Sequence, residues 1–209
     1  MKALLLIDIQ NDFIPGGSLA VPRGNEVVPV CNAIQRHFEL VVATQDWHPQ
    51  NHKSFASVHL KKVFEVIDLN GLSQVLWPDH CVQGTKGAEF AEGLNMNEAE
   101  VIFRKGTDAE IDSYSAFYDN GHRKTTGLSD YLRGKGVTDV YIAGLAADYC
   151  VYFTASDALA EGFSTFIIDD AVRAIRDEGY HKAKLAITGK GGKIILSSDI
   201  EGVDSGIKF

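Results

Sequence analysis

The feature that most constrains this chain is an alternation of short apolar runs with longer amphipathic segments. The apolar runs are rich in Val, Ile, Leu and aromatic residues, and they cover residues 3–7, 40–44, 101–103, 140–143, 165–168 and 193–196. Runs that are apolar on both faces are typical of a parallel sheet covered on both sides. Helical periodicity predicts helices over residues 26–38, 128–135, 151–161 and 178–188. The alternation predicts a three-layer α/β/α sandwich, with a mostly parallel sheet of about six strands and right-handed crossovers.

The chain has 209 residues, with no internal repeat and no Pro/Ser-rich linker, so we expect a single domain over residues 1–209. The segment from about residue 46 to residue 98 interrupts the alternation and holds four of the seven histidines. A connection of this length inside a domain is usually functional or disordered, and its aromatic residues argue against disorder. We therefore interpret it as a metal-binding insertion.

The charge balance excludes several classes of partner. The formal net charge is −8 and the chain has no dense run of Lys or Arg, so a nucleic-acid partner is not expected. An acidic surface also argues against binding to anionic membranes, and no apolar run approaches transmembrane length. The three cysteines are odd in number and no export signal precedes them, so we expect a cytoplasmic protein with reduced thiols.

Chemically capable side chains follow four of the expected strands. Asp8 follows the first strand, Asp46 and His48 follow the second, Lys105 follows the third and Cys150 follows the fourth. Ligands of open α/β sheets bind outside the carboxyl ends of the strands. The sequence therefore predicts that a carboxylate, metal-ligand side chains, an amine and a thiol meet at one edge of the sheet.

Cys150 is the candidate nucleophile. It lies between a Gly-containing turn and an amphipathic helix, where the helix N-terminus favours a thiolate and free N–H groups could hold an oxyanion. The alternative is an inert buried cysteine. Asp8 is the candidate proton acceptor, although alone it would be read as a cap. Lys105 would be costly to bury unless paired with such anions, and alone it would be read as a surface charge.

A second cluster contains metal-ligand types. Asp46, His48 and His52 lie within seven residues, and His80 follows in the same segment. Imidazoles with a carboxylate suit zinc, iron or manganese better than calcium or magnesium, and four such ligands could leave room for water or substrate. His59 is the rival for one of these positions, and Cys81 is a secondary candidate.

Aromatic residues are interleaved with these groups: Phe13, Trp47, Trp77, Tyr114 and Tyr149. Each would pack in the core by default. If some of them line a cleft, they favour a flat aromatic substrate.

Taken in order, these motifs resemble those of the nicotinamidases, within the cysteine hydrolases of isochorismatase-like fold. The resemblance covers nearly the whole chain. It rests on Leu-Ile-Asp-Ile-Gln-Asn-Asp-Phe around Asp8, Gly-Gly-Ser-Leu-Ala-Val from Gly16, Thr-Gln-Asp-Trp-His-Pro around Asp46, Trp-Pro-Asp-His-Cys-Val-Gln-Gly-Thr around His80, Asp-Ser-Tyr-Ser-Ala-Phe from Asp112 and Gly-Leu-Ala-Ala-Asp-Tyr-Cys-Val around Cys150.

The resemblance implies a set of roles. Asp8, Lys105 and Cys150 would form the catalytic triad, and the backbone N–H groups of Ala146 and Cys150 would form the oxyanion hole, after a cis peptide between Leu145 and Ala146. The metal ligands would be Asp46, His48, His52 and His80, and the residues around the substrate ring would be Phe13, Trp77, Tyr114 and Tyr149.

The resemblance also implies the reaction, in which nicotinamide is hydrolysed to nicotinate and ammonia through a Cys thioester, in NAD salvage. Pyrazinamide should be accepted as well. One divalent metal is implied, zinc foremost and iron or manganese otherwise, and a homo-oligomer is compatible with the sequence. One departure is visible, because Ala147 stands where many relatives carry Thr. We expect altered local hydrogen bonding there but retained chemistry.

Two alternatives stay open. A ureido or carbamoyl amidohydrolase of the same superfamily would share the Asp, Lys and Cys without needing the metal cluster. A non-catalytic binding module on a similar scaffold is a different class, although no phosphate-binding glycine loop supports it. An isochorismate-type hydrolase is disfavoured by the cysteine at position 150.

Overall fold

The computed structural model describes residues 1–203. Its strands are β1 (Lys2–Ile7), β2 (Leu40–Asp46), β3 (Val66–Leu69), β4 (Leu72–Val75), β5 (Ala99–Lys105), β6 (Asp139–Leu145), β7 (Ser164–Arg173) and β8 (Lys193–Ile195). Six of them form one sheet in the order β5–β2–β1–β6–β7–β8, and every adjacent pair is parallel. The expected parallel sheet is therefore confirmed.

The central strand β1 shows why these residues form a sheet covered on both faces. Ala3, Leu5 and Ile7 point into one hydrophobic core, whereas Leu4 and Leu6 point into a second core on the opposite face. All five side chains are essentially inaccessible to solvent. Because side chains alternate between the two faces of a strand, a continuously apolar run is stable only where both faces are covered.

In the described part of the chain, four helices supply the two outer layers: α1 (Val27–Ile34), α2 (Leu128–Gly134), α3 (Cys150–Ala160) and α4 (Asp177–Gly189). The buried face of α1 belongs to the core that contains Leu4 and Leu6. Buried residues of α2, α3 and α4 belong to the other core. The three-layer α/β/α sandwich expected from the sequence is confirmed.

The boundaries of several elements differ from expectation. Strands β2 and β5 extend to Asp46 and Lys105, which are partners in the sheet register rather than residues beyond it. The hydrogen-bonded pairing of the two backbones continues past the apolar runs. The strand ends predicted from hydropathy therefore come too early. The first helix is shorter than expected, because a 3₁₀ turn (Gln35–His37) follows α1 and an extended Phe38 leads into β2.

The insertion at residues 46–98 contains the antiparallel hairpin β3–β4 and two 3₁₀ turns, Ser57–His59 and Lys86–Ala88. The single domain over residues 1–209 remains a prediction, and its last six residues lie outside the described part. Among residues 1–203, no helix is both long enough and apolar enough to cross a bilayer.

The order of the sheet determines where a site can form. From β1 the chain continues to β2 and β5 on one side, whereas β6, β7 and β8 lie on the other. The neighbouring strands β1 and β6 therefore flank a topological switch point, where a crevice opens beyond their carboxyl ends. Asp8 follows β1 there, and Cys150 begins α3 five residues after the end of β6.

Candidate active site

Asp8, Lys105 and Cys150 come together at the carboxyl edge of the sheet. Nζ of Lys105 lies 2.9 Å from Oδ2 of Asp8 and 3.5 Å from Sγ of Cys150. The same amine lies 2.6 Å from Oδ1 of Asp46 and donates to the carbonyl oxygen of Ser113 at 2.9 Å. The structure thus brings together the three residues that the sequence places far apart.

Lys105 is shared by two buried carboxylates. Burial alone would lower the pKa of Lys105, but Asp46 and Asp8 together raise it well above its usual value. Burial raises the pKa of Asp8, and the nearby Lys105 ammonium only partly opposes this. Burial also acts to raise the pKa of Asp46, but Lys105 and His48 outweigh it and lower that pKa. Asp46 is therefore an anion, and Asp8 is a stronger base than a solvent-exposed aspartate.

The environment of Cys150 contains influences that act against the expected effect of the helix N-terminus. A helix N-terminus was expected to favour the thiolate, but burial raises the pKa of the Cys150 thiol well above its usual value, and Lys105 only partly lowers it. The Asp8 and Asp46 carboxylates act in the same direction as burial. Desolvation beside two anions therefore opposes the effect of the helix N-terminus and disfavours the thiolate of Cys150.

The turn between β6 and α3 has the geometry that the resemblance implies. The peptide between Leu145 and Ala146 is cis. The N–H groups of Ala147, Tyr149 and Val151 donate to backbone carbonyls, and within residues 1–203 no backbone acceptor is recorded for the N–H groups of Ala146 and Cys150. These two donors lie on either side of the turn that presents the thiol.

Ala147 is held in this turn by its backbone and by packing of its methyl group. Its N–H donates to the carbonyl oxygen of Arg173 at 2.8 Å, and its methyl group is buried in the core. The neighbouring Asp148 accepts backbone N–H bonds from Ile175 and Arg176 at 2.9 and 3.0 Å. The main chain and Asp148 therefore hold the loop without a hydroxyl at position 147.

Asp46, His48 and His80 form a group whose ligand atoms all lie within 4.8 Å of one another. The Nε2 atoms of His48 and His80 lie 3.6 and 3.8 Å from Oδ2 of Asp46. Nδ1 of His48 donates to the carbonyl oxygen of Gly106, and Nδ1 of His80 donates to that of Pro78. With Nδ1 protonated, a neutral ring directs the lone pair of Nε2 toward Asp46, as metal ligation requires.

Two observations support the fit of these residues to a divalent cation. Nε2 of His48 is buried with no hydrogen-bond partner among the described residues, although such atoms are normally satisfied. Burial and the neighbouring His48 lower the pKa of His80 to about 4, which keeps this ring neutral at pH 7. For His48, the neighbouring Asp46 raises the pKa against the effect of burial, so the carboxylate favours positive charge at this position.

His52 occupies a different position in the cluster. It groups with His48 and Asp112 rather than with Asp46 and His80, and its Nε2 is likewise buried without a partner among the described residues. Burial and His48 lower its pKa to about 4. Three of the four expected ligands, Asp46, His48 and His80, therefore form one group. The fourth, His52, belongs to a second group that shares His48 with the first. Asp112 is a further potential ligand, and the only signal for it in the sequence is its place at the start of Asp-Ser-Tyr-Ser.

The two other candidate ligands, His59 and Cys81, belong to none of the ligand groups found among residues 1–203. Nε2 of His59 donates to the carbonyl oxygen of Lys53 at 2.8 Å, so this ring does not join the cluster. Cys81 is buried, and burial raises its pKa well above the usual value. Its backbone N–H donates to Oδ2 of Asp12 at 2.7 Å, which anchors the loop that follows His80.

A cavity of about 330 Å³, its mouth included, opens beside Cys150. The four aromatic residues expected around a substrate ring all line it: Phe13, Trp77, Tyr114 and Tyr149. Trp77 meets Tyr149 edge to face at 4.8 Å and donates from Nε1 to the hydroxyl of Tyr114 at 3.1 Å. Asp46, His80 and Asp112 line the same cavity, so an aromatic pocket connects the thiol to the metal-ligand cluster.

Other residues that position the site gave weaker signals in the sequence. Gln10 is fully buried and brackets Asp46, since it accepts from the N–H of Asp46 and donates to its carbonyl oxygen, both at 2.8 Å. Gly106 approaches the ring of His48 closely. Gln10 belongs to the motif around Asp8 and Gly106 directly follows Lys105, but a glutamine or a glycine carries no chemical signature of its own.

Comparison with known proteins identifies the family of this chain. The isochorismatase domain family matches residues 2–199. The chain belongs to the isochorismatase family. Among characterised members of the isochorismatase family, the nicotinamidase of Acinetobacter baylyi is 48% identical over 178 residues, which is 85% of this chain and 83% of that protein.

Solved structures of the isochorismatase family agree with this comparison. A nicotinamidase/pyrazinamidase of Acinetobacter baumanii is 47% identical, with a TM-score of 0.92 over 95% of this chain and 97% of that one. A pyrazinamidase of Pyrococcus horikoshii, solved in complex with zinc, is 40% identical, with a TM-score of 0.77 over 93% and 98% of the two chains. Within the isochorismatase family, the chain is therefore similar to nicotinamidases and pyrazinamidases.

Proposed function

We propose that this protein is a nicotinamidase that hydrolyses nicotinamide to nicotinate and ammonia, in NAD salvage, and that also accepts pyrazinamide. One observation carries the proposal: Lys105 joins Asp8 and the thiol of Cys150 within 3.5 Å, at the base of an aromatic cavity that the metal-ligand cluster also lines. The similarity to nicotinamidases over most of the chain supports the same conclusion.

In the first step, Asp8 removes the thiol proton of Cys150 as the sulfur attacks the carboxamide carbon. Burial raises the pKa of both groups, so the carboxylate is a better base than usual while the thiol is a weaker acid. Proton transfer in concert with attack avoids an unstabilised thiolate next to two carboxylates. Lys105 stays protonated and compensates the charge that moves between sulfur and oxygen.

The tetrahedral intermediate places its oxyanion on the backbone N–H groups of Ala146 and Cys150. In other enzymes, one such donor is worth about 3 kcal/mol of transition-state stabilisation. Asp8, now protonated, gives its proton to the leaving nitrogen, and ammonia departs from the thioester. A water molecule then attacks the thioester with Asp8 again acting as base, and nicotinate is released.

The aromatic residues of the cavity and the metal-ligand cluster orient the pyridine ring of nicotinamide. Asp46, His48 and His80, with His52 adjoining, would hold the divalent metal, and zinc is our first choice because imidazole and carboxylate ligands suit it. When bound, the metal supplies a Lewis-acid contact for the pyridine nitrogen. Phe13, Trp77, Tyr114 and Tyr149 bound the flat ring, so that its amide carbon faces Cys150.

The test is an ammonia-release assay with nicotinamide, using zinc-loaded protein, chelator-treated protein and chelator-treated protein with zinc restored. We expect activity that is lost on chelation and recovered with zinc. Cys150→Ala should be inactive while binding as much zinc as the wild type. A zinc-loaded wild-type protein that releases no ammonia from nicotinamide would refute the proposal.

The same assay separates the rival enzyme class. A ureido or carbamoyl amidohydrolase would hydrolyse N-carbamoyl compounds in preference to nicotinamide and would keep its activity after chelation. The cytoplasmic location and the homo-oligomer remain predictions, which cell fractionation and light scattering would test.

A further inference from the structure

We propose that Thr44 is a positioning residue that determines which oxygen of Asp8 receives the thiol proton. This inference rests on the proposed function, because it assigns a task within the Asp8–Cys150 proton transfer. Thr44 lies in β2, the strand next to β1 in the sheet, and its side chain is fully buried.

The Thr44 hydroxyl makes two hydrogen bonds to the same aspartate. Oγ1 accepts from the backbone N–H of Asp8 at 3.1 Å and lies 2.6 Å from the carboxylate oxygen Oδ1 of Asp8. Because an N–H can only donate, the hydroxyl must accept there and direct its single proton at Oδ1. The direction of both bonds is therefore fixed by the chemistry of the groups.

The backbone of Asp8 needs this support. Its φ is +46°, in the left-handed region that non-glycine residues rarely adopt. Asp8 follows the last residue of β1, and its backbone N–H donates to the hydroxyl of Thr44. Thr44 thus secures the backbone turn that swings the Asp8 side chain toward the active site.

The two oxygens of Asp8 are consequently not equivalent. Oδ1 is held by Thr44, whereas Oδ2 lies 2.9 Å from Nζ of Lys105 and has no hydrogen-bond partner of good geometry among the described residues. Asp8 and Cys150 each offer an atom within 4.8 Å of the other. The hydrogen bond from Thr44 occupies one lone pair of Oδ1 and fixes the plane of the carboxylate, whereas Oδ2 makes no hydrogen bond of good geometry within the described part of the chain. We therefore assign Oδ2 as the oxygen that takes the proton from the thiol.

The decisive variant is Thr44→Val, which keeps the shape of the side chain and removes the hydroxyl. We expect kcat for nicotinamide to fall about 10- to 100-fold, the range typical for losing a hydrogen bond to a charged group. KM should change less than twofold, because Thr44 does not line the substrate cavity. Thr44→Ser retains the hydroxyl and should keep kcat within about threefold of the wild type.

A second measurement does not depend on nicotinamide. Alkylation of Cys150 by iodoacetamide, followed by mass spectrometry of the peptide, reports how readily the thiol loses its proton to Asp8. We expect Thr44→Val to slow this alkylation by a factor similar to its effect on kcat. If the wild type proves inactive on nicotinamide, the proposed function fails, but the alkylation rates still test the role of Thr44.

The matched control is Thr165→Val. Thr165 is also a buried strand threonine, and its hydroxyl donates to the carbonyl oxygen of Phe163 at 3.0 Å, away from Asp8. This variant should lose stability without losing kcat or alkylation rate. The proposal is overturned if Thr44→Val keeps kcat and alkylation within twofold of the wild type, or if Thr165→Val lowers both equally. Should Thr44→Val fail to fold, Thr44→Ala replaces it in the comparison with Thr44→Ser.

Discussion

The imidazole of His48 is held in place by the carbonyl oxygen of Gly106, to which its Nδ1 donates at 2.9 Å. Gly106 directly follows Lys105 at the end of β5. The end of one strand therefore orients both the shared amine and a candidate metal ligand. A Cβ added at Gly106 would lie 2.3 Å from Cε1 of His48, and the φ of this residue is +64°.

We therefore expect Gly106→Ala to weaken zinc binding by about 10- to 100-fold, the range seen when groups that orient metal ligands are altered. Competition with a chromophoric chelator measures the affinity directly. The control is Gly136→Ala, at a glycine with φ +75° and open space around it. Equal zinc affinities for Gly106→Ala and the wild type would contradict this reading of the contact.

Replacing the shared amine should destabilise the whole protein. Lys105→Met leaves Asp8 and Asp46 buried without their cation, and removing one partner of a buried ion pair typically costs about 3–5 kcal/mol. Urea unfolding at pH 7 with saturating zinc measures the change. Adding Asp8→Asn to Lys105→Met should recover part of the loss. If the double variant is less stable than Lys105→Met, the carboxylate of Asp8 is not the cause.

The pH dependence of activity should report the raised pKa of Asp8. Asp8 must be ionised to accept the thiol proton, and burial raises its pKa from the ordinary value of 3.8. Activity is therefore present above the raised pKa and is lost as pH falls through it, so the acid limb of kcat/KM should lie above pH 3.8. The profile is measured with saturating zinc and with circular dichroism at each pH. An acid limb at or below pH 3.8 in folded, zinc-loaded protein would contradict this prediction.

The close contact of β1 with β6 should make Gly144 irreplaceable. Its φ is +118°, and a Cβ there would lie 2.1 Å from the carbonyl oxygen of Ile7. Gly144→Ala should lower the free energy of unfolding by about 2–5 kcal/mol, from backbone strain and overpacking together. Gly136→Ala again serves as the control, because it carries the strain without the contact. Equal losses in the two variants would show that the contact is unimportant.

Recognition of the ring nitrogen can be tested with a substrate that lacks it. Benzamide matches nicotinamide in shape, so the aromatic walls formed by Trp77 and Tyr149 should accept both. If the cluster of Asp46, His48 and His80 orients the ring through a metal, benzamide should have a much lower kcat/KM. Equal kcat/KM values for benzamide and nicotinamide would show that the cluster does not contribute to recognition of the substrate.

The sequence by itself determined the layer architecture and indicated which residues are candidates for the reacting groups. Strands such as β1 are apolar on both faces, and only a sheet covered on both sides satisfies that pattern. Asp8, Lys105 and Cys150 could be chosen because each follows or ends such a strand, and the carboxyl ends of parallel strands share one edge.

Only the tertiary structure decided how these groups act on one another. Burial and contacts between distant segments raise the pKa of the Cys150 thiol and place Lys105 between two carboxylates. They also group His52 with Asp112 and bring the Thr44 hydroxyl into hydrogen-bond distance of Asp8. Hydropathy and spacing report which face of an element is buried. They do not report the desolvation of one atom or the direction of one hydrogen bond, because these arise only when separate strands pack together.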